Sequence, residues 1–207
     1  MIFEPGQRIV FIGDSITDCG RRDTDQPYGN GYVGLVRAFV TARHPELGLM
    51  WTNRGVGGDT VRELRRRWQA DAIDPAPHWL SVMIGINDVW RAFGDQPRDA
   101  VPIDEYEATL RSLLHRAVDA TGCRLILATP YLIEPDRAEA QRAMSDRYGA
   151  VVRGLAVEFG APLVDTQAAF DRVLAVTPPT AWADDRVHPN LPGHAVIAQA
   201  FLHEIAS

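Results

Sequence analysis

Lysine is absent from the sequence, in which all 21 basic residues are arginine. This absence excludes reactions that run through a lysine amine, such as Schiff-base chemistry, and the phosphate clamp of a P-loop. Cysteine is scarce as well, with only Cys19 and Cys123. Two cysteines cannot build a disulfide framework, and their separation matches no zinc-binding pattern. We expect both to be small, buried apolar residues.

The sequence also has no excess of positive charge and no long apolar run. The 27 acidic residues outnumber the basic ones and give a net charge of −6, which disfavours nucleic-acid partners. No apolar run approaches the roughly 18 residues that would span a bilayer. The first residues, Met1 to Gly6, lack the basic and apolar regions of a signal peptide. The sequence therefore predicts a cytoplasmic protein with neither a nucleic-acid nor a membrane partner.

The composition is that of a globular protein, with 46% hydrophobic and 23% charged residues, and the length predicts a single domain over residues 1–207. Short apolar runs predict five strands: Arg8–Ile12, Leu49–Asn53, Leu80–Ile84, Arg124–Thr129 and Pro162–Val164. Amphipathic stretches predict five helices between and after them: Tyr32–Arg43, Val61–Ala72, Asp104–Ala120, Arg137–Phe159 and Gly193–Ile205. This alternation indicates an α/β fold, a parallel sheet that is covered by helices on both faces.

Ligands of such sheets bind outside the carboxyl ends of the strands, so the residues that follow each strand are the candidates for the functional site. The first predicted strand ends in Gly13-Asp14-Ser15. A serine at a strand-to-helix turn presents its hydroxyl at the mouth of the sheet, where backbone N–H groups can face an oxyanion. Taken alone, the tripeptide is more typical of an ordinary helix cap. The Gly-x-Ser-x-Gly elbow of α/β hydrolases is absent, because position 17 is threonine.

Two further strand ends carry polar or glycine-rich segments. The second strand is followed by a stretch with three glycines, RGVGGDT, which permits a backbone N–H to point into a cleft. The alternative is a flexible turn with Asp59 or Thr60 as a helix cap. Asn87 follows the third strand, and its amide could donate to an oxyanion or form an Asx turn.

Asp185 lies three residues before His188, just ahead of the last predicted helix. An aspartate at that spacing can accept the Nδ1 proton of the histidine, which leaves Nε2 to accept a proton from a serine. The alternatives are a surface turn held by prolines, and a metal site built from Asp184, Asp185, His188 and His194.

Together these segments resemble the GDSL-type, or SGNH, hydrolase family. Ser15 lies in FIGDSIT, Gly58 in GVGGDT, Asn87 in GIND and His188 in DRVH, in the order of the family. The resemblance implies a flavodoxin-like three-layer α/β/α sandwich with a five-stranded parallel sheet. It also implies a triad of Ser15, His188 and Asp185. The oxyanion hole would consist of the backbone N–H groups of Ser15 and Gly58 and the Asn87 side chain.

A narrower resemblance extends outside these segments. The stretches FIGDSITDCGR, RELRRRW, MIGINDVWR, DEYEATLRSL and VDTQAAF are similar to intracellular bacterial acetylxylan esterases. This likeness implies a serine esterase that deacetylates short xylo-oligosaccharides through an acetyl-enzyme on Ser15, in a homo-oligomer and with no metal or organic cofactor. Those esterases have a tryptophan directly before the catalytic aspartate. Here that position is Asp184, a rival to Asp185, and Trp182 lies two residues earlier.

The candidates for substrate contact are Asp14, Trp90, Tyr131 and Trp182. Two other functions stay open: a lysophospholipase or thioesterase on the same scaffold, and a catalytically silent carbohydrate-binding protein. Gly29–Gly34 fits the dinucleotide pattern Gly-x-Gly-x-x-Gly but follows a polar loop, so we expect loop and helix-start geometry there. A basic run on one helix predicts a solvated or subunit-facing surface: Arg62, Arg65, Arg66 and Arg67.

Overall fold

A five-stranded, all-parallel sheet forms the centre of the computed structural model, which describes residues 1–22, 25–95 and 97–206. The strands are β1 (Arg8–Gly13), β2 (Met50–Gly55), β3 (Trp79–Met83), β4 (Arg124–Ala128) and β5 (Leu163–Val164). They lie in the order β2-β1-β3-β4-β5 and pair in parallel throughout. This is the flavodoxin-like order, and it confirms the predicted fold class.

Eight α-helices surround the sheet in the described part of the chain. They are α1 (Ser15–Asp18), α2 (Tyr32–Arg43), α3 (Val61–Trp68), α4 (Ile86–Trp90), α5 (Ile103–Thr121), α6 (Ala140–Phe159), α7 (Thr166–Leu174) and α8 (Leu191–Ala206). The five predicted helices are all present, and two of them differ from their predicted bounds by three or more residues. Helix α6 begins at Ala140 rather than at position 137, because the Glu139 carboxylate caps its first turn. Helix α3 ends at Trp68, and a π-helical turn, Gln69–Ile73, replaces its last predicted turn.

The alternation of side chains along the strands separates two apolar cores. Ile9 and Phe11 of β1 face one side of the sheet, where they belong to a core that includes α2, α7 and α8. Val10 and Ile12 face the other side, in a core with α3, α5 and α6. Because successive residues of a strand point to opposite faces, a strand covered on both faces is a continuous apolar run. The run at residues 8–13 has that character.

The sheet places several chain segments at one edge. Strand β1 leads into α1, and β3 leads into α4. These two strands are neighbours at the point where the order of the sheet reverses, which is where such folds bind ligands. None of the helices in the described ranges combines the length and the apolarity that crossing a membrane demands.

Candidate active site

Ser15 is the first residue of α1, immediately after β1. The Asp14 carboxylate caps the helix by accepting the backbone N–H of Ile16 at 3.0 Å. This cap fixes the start of the helix and therefore the direction of the serine. The Ser15 hydroxyl oxygen lies 2.9 Å from Nε2 of His188, which is a hydrogen-bonding distance.

Asp185 orients the histidine from the other side of the ring. Its Oδ2 lies 2.6 Å from Nδ1 of His188. Its Oδ1 accepts the backbone N–H groups of Val187, at 3.0 Å, and His188, at 2.7 Å. Partial burial raises the pKa of Asp185, but the hydrogen bonds from His188 and Val187 outweigh it and hold the pKa below its ordinary value. An ionised Asp185 accepts the Nδ1 proton and leaves Nε2 free to accept the serine proton. Asp185, rather than Asp184, is therefore the carboxylate in contact with the histidine.

The turn that carries Asp185 and His188 is anchored to the segment after β4. The Ile133 N–H donates to the Arg186 carbonyl at 2.9 Å, and the buried Tyr131 hydroxyl donates to the Val187 carbonyl at 3.2 Å. Arg186 has a left-handed backbone with φ of 67°, which is costly for a residue with a side chain. Its guanidinium pairs with Glu134 at 3.0 Å, and this pair helps to hold the turn in place.

The glycine-rich segment after β2 runs beside the serine. The Val56 N–H donates to the Gly13 carbonyl at 3.0 Å, which ties the segment to the end of β1. Gly58 has a φ of +81°, a backbone conformation that favours glycine. Asn87, on α4, is 7% exposed and donates from Nδ2 to the Asp59 carbonyl at 2.9 Å. A side-chain amide carries two N–H groups, so this bond leaves one for an oxyanion.

Of the four candidates for substrate contact, Trp90 lies beside the histidine, and Trp182 is partly exposed. Trp90 is half-buried, and its ring lies 5.5 Å from the His188 ring. It also lines a cleft of about 280 Å³ that begins at Asn87. Trp182 is partly buried against the core and donates from Nε1 to the Thr177 hydroxyl at 2.8 Å.

The other two candidates, Asp14 and Tyr131, require a correction. Both side chains are buried, with exposures of 1% and 0%. The Asp14 carboxylate points back into the protein to cap α1, and the Tyr131 hydroxyl supports the Asp185–His188 turn. Neither offers surface that a substrate could touch.

In the metal-site alternative, Asp185 contacts His188, whereas His194 has other partners. His194 contacts the Cys19 sulfur through Nε2 at 3.2 Å, and its Nδ1 accepts the Tyr32 backbone N–H at 3.3 Å. Burial lowers the pKa of His194 to about 4. Within the described ranges, no group of three or more histidine, cysteine or acidic side chains is arranged to hold a metal.

The interpretation of the basic run on α3 as surface is wrong for Arg67. Its side chain is 16% exposed and makes several inward hydrogen bonds. It donates to the carbonyls of Gly13 at 2.9 Å and Arg54 at 2.6 Å, and to the Asp59 carboxylate at 2.6 Å. In the sequence, the sign that Arg67 lies close to the core is that it directly precedes Trp68, which the structure buries. Arg67 thus joins the ends of β1 and β2 beneath the site.

Two buried carboxyls lie behind the site. Burial raises the pKa of Asp14 to about 7, and the charge of nearby Asp88 adds to this effect. Burial likewise raises the pKa of Asp88 to about 7. Asp88 Oδ1 accepts the Val61 N–H at 3.0 Å, whereas Oδ2 has no hydrogen-bond partner among the described residues. Ionising these side chains at neutral pH therefore costs stability.

We expect Asp88→Asn to become more stable relative to the wild type as the pH rises from 5 to 8. A carboxyl with a pKa of 3.8 unfolded and about 7 folded binds more protons in the native state, so its contribution to stability falls across that window. Asparagine keeps the Oδ1 acceptor and removes the titration. The gain in unfolding free energy should grow by roughly 2–3 kcal/mol between the two pH values. Urea unfolding of both proteins measures it.

Asp119→Asn, at an exposed position on α5, is the matched control for this experiment. Its stability difference from the wild type should stay nearly constant over the same range. A constant difference for Asp88→Asn as well would contradict the burial of an ionisable carboxyl at this position.

Comparison with known proteins agrees with this geometry. The GDSL-like Lipase/Acylhydrolase family matches residues 11–196. An acetylxylan esterase from Geobacillus stearothermophilus is 47% identical over 208 residues, covering 97% of this chain and 94% of the esterase. A crystal structure of an acetylxylan esterase from the same organism superposes with a TM-score of 0.96 at 45% identity, over 100% of this chain and 97% of that one. An alpha/beta hydrolase enzyme from the metagenome of Lake Arreo, Spain, gives a TM-score of 0.95 at 46% identity, over 100% and 98% of the two chains.

These matches extend over nearly the whole length of both partners, and they confirm the resemblance noted in the sequence. The chain belongs to the GDSL-like lipase/acylhydrolase family.

Proposed function

We propose that the protein is a serine esterase that removes acetyl groups from short acetylated xylo-oligosaccharides. The observation that carries the proposal is the hydrogen-bonded series from Ser15 through His188 to Asp185, beside the amide of Asn87. The substrate class is supported by the similarity to the Geobacillus acetylxylan esterase. Crystal structures of that relative include catalytic mutants with alanine in place of a serine, an aspartate and a histidine.

The first half of the reaction transfers the acetyl group to the enzyme. His188 Nε2 takes the Ser15 proton while the serine oxygen attacks the acetyl carbonyl carbon. The resulting oxyanion is stabilised by the backbone N–H groups of Ser15 and Gly58 and by the free N–H of the Asn87 amide. When the tetrahedral intermediate collapses, the bond to the sugar oxygen breaks. That oxygen leaves with the proton held by His188.

The second half releases acetate. A water molecule gives a proton to His188 Nε2 and attacks the acetyl carbon, and the same donors stabilise the second oxyanion. Collapse breaks the bond to Ser15, which recovers its proton from His188. Asp185 stays ionised throughout and stabilises the imidazolium in both halves. The arrangement supplies the nucleophile, the base and the oxyanion donors from side chains and backbone alone.

The sugar should lie on the histidine side of the site. His188 protonates the departing sugar oxygen, so that oxygen must come within hydrogen-bonding reach of Nε2. The Trp90 ring packs against the His188 ring and lines the adjoining cleft. We assign Trp90 as an aromatic contact for the sugar, with Trp182 as the second candidate.

Acetate release from acetylated xylo-oligosaccharides tests the proposal. It should be measured beside p-nitrophenyl acetate and p-nitrophenyl octanoate, with Ser15→Ala as the blank. We expect turnover of the sugar and of p-nitrophenyl acetate, little turnover of octanoate, and no activity of the variant. The similarity to an acetylxylan esterase favours a short acyl group.

The same assay, together with a measurement of sugar binding, separates the two alternatives. Turnover of octanoate with the sugar untouched would indicate a lysophospholipase or thioesterase with the same triad. Sugar binding that is unchanged in Ser15→Ala, with no turnover by the wild type, would indicate a carbohydrate-binding protein. The cytoplasmic location and the homo-oligomer expected from the sequence stay predictions.

A further inference from the structure

Helix α4 and the residue that follows it hold the glycine-rich loop through three side chains. Arg91 Nη2 donates to the Gly58 carbonyl at 2.7 Å. Asn87 Nδ2 donates to the Asp59 carbonyl at 2.9 Å. Asp88 Oδ1 accepts the N–H of Val61, the first residue of α3, at 3.0 Å. The backbone from Gly58 to the start of α3 is thus held from one side by a single short element.

The loop needs such support because its own backbone contacts are few. Gly57 and Gly58 are both exposed, and a Cβ added at Gly58 would meet nothing within 4 Å. Glycine has the widest range of backbone conformations, and nothing packs at the Cβ position of Gly58. The backbone orientation at Gly58 is therefore fixed neither by its own conformational limits nor by packing. Inside the loop, the Asp59 N–H reaches the Val56 carbonyl at a long 3.3 Å. The bond from Arg91 to the Gly58 carbonyl, at 2.7 Å, is shorter than the bond from Asn87 to the Asp59 carbonyl, at 2.9 Å.

Arg91 is itself held in place. Its Nη1 lies 3.9 Å from Oε2 of Glu63. The Glu63 carboxylate accepts the Thr60 N–H at 3.0 Å, as part of the capping box of α3. The guanidinium therefore bridges the Gly58 carbonyl and a carboxylate that is fixed at the start of α3.

We propose that Arg91 is a positioning residue for the oxyanion hole, acting through the Gly58 peptide. A fixed Gly58 carbonyl restricts rotation about the two backbone bonds of Gly58, on which the direction of its N–H depends. The inference rests on the proposed function, because it assumes that this N–H faces an oxyanion. Arg91 also lines the cleft beside Trp90, so a contact with the sugar is the competing role.

The choice of substrate separates the two roles. For p-nitrophenyl acetate, which has no sugar, Arg91→Ala should lower kcat by about 10- to 100-fold and leave KM within about threefold, because a misplacement of about 1 Å is enough for a loss of this size. Arg91→Lys, which keeps one donor, should recover part of the loss. A sugar contact would instead leave p-nitrophenyl acetate unaffected and raise KM for the xylo-oligosaccharide alone.

Arg62→Ala is the matched control. Arg62 has the same 30% side-chain exposure as Arg91, and its guanidinium pairs with Glu105 of α5 at 2.5 Å rather than with a loop carbonyl. Its kcat should stay within about twofold of the wild type. Active-site titration with diethyl p-nitrophenyl phosphate, which labels Ser15, gives the folded fraction of each variant, so that kcat refers to competent enzyme.

A double-mutant cycle tests whether Arg91 and Asn87 act on the same oxyanion hole. If Arg91 acts on the oxyanion hole that includes the Asn87 amide, Arg91→Ala should lower kcat by a smaller factor in an Asn87→Ala background than in the wild type. Equal costs in both backgrounds, or a wild-type kcat for Arg91→Ala on p-nitrophenyl acetate, would overturn the inference while leaving the esterase intact. A wild type that hydrolyses no ester would overturn the proposed function, and this inference with it.

Discussion

Replacement of Ser15 or of His188 by alanine should each lower kcat by about 10⁴- to 10⁶-fold. The serine provides the atom that becomes acetylated, and the histidine accepts and returns its proton, so neither works without the other. Their 2.9 Å contact makes them one unit. The initial rate of p-nitrophenyl acetate hydrolysis, at saturating substrate, measures the effect. The double variant should be no slower than the slower single variant, since residues that act as a unit are not additive.

The two adjacent aspartates give the matched control for this prediction. Asp185→Asn removes the acceptor for the histidine Nδ1 proton and should lower kcat by about 10⁴-fold. Asp184→Asn, at an exposed neighbour, should leave kcat within a few fold. A reversed order would move the triad to Asp184. A loss of less than about 100-fold in Ser15→Ala would remove the acetyl-enzyme from the mechanism.

The long elements of the fold were predictable because each repeats its own pattern often enough to be read. Helix α5 places five apolar residues on one face, and the structure buries all of them: Tyr106, Leu110, Leu113, Leu114 and Ala117. The five strands appear as apolar runs because both faces of the sheet are covered. Helices α1 and α4 were missed because four or five residues are too short to show a helical period. Helix α7 was not predicted either, although the sequence carried a signal for it. Asp165 caps the helix, and Phe170 and Leu174 share its buried face.

The residues of the candidate site were likewise only partly predictable from the sequence. Residues that carry side-chain chemistry after a strand could be located from the sequence, since a parallel sheet brings those positions together. The side chains that hold the backbone of the site could not be located from the sequence. Arg67 and Arg91 donate to main-chain carbonyls, and a carbonyl leaves no trace in the sequence. The direction of a side chain was also hidden, which is why Asp14 was expected to face the substrate although it faces the interior.

Asn87→Ala should lower kcat by about 10²- to 10³-fold, equivalent to roughly 3–4 kcal/mol of transition-state stabilisation. The amide is suited to this task because its surroundings already fix it. One N–H is engaged by the Asp59 carbonyl, and burial of the side chain limits its rotation. The second N–H can therefore meet the oxyanion without reorganisation. A donor that strengthens its bond only as charge develops should act on kcat and leave KM nearly unchanged.

Asn87→Ala also removes the bond to Asp59, and this second effect must be separated from the first. Loss of that bond should reduce stability by about 1 kcal/mol and loosen the loop that carries Gly58. Asn87→Asp keeps the size of the side chain but replaces the donor with a carboxylate, which repels an oxyanion, so it should be at least as slow as alanine. An alanine variant within threefold of the wild-type kcat would place the oxyanion elsewhere. An aspartate variant faster than the alanine variant would show that shape, rather than the N–H donor, is what Asn87 contributes.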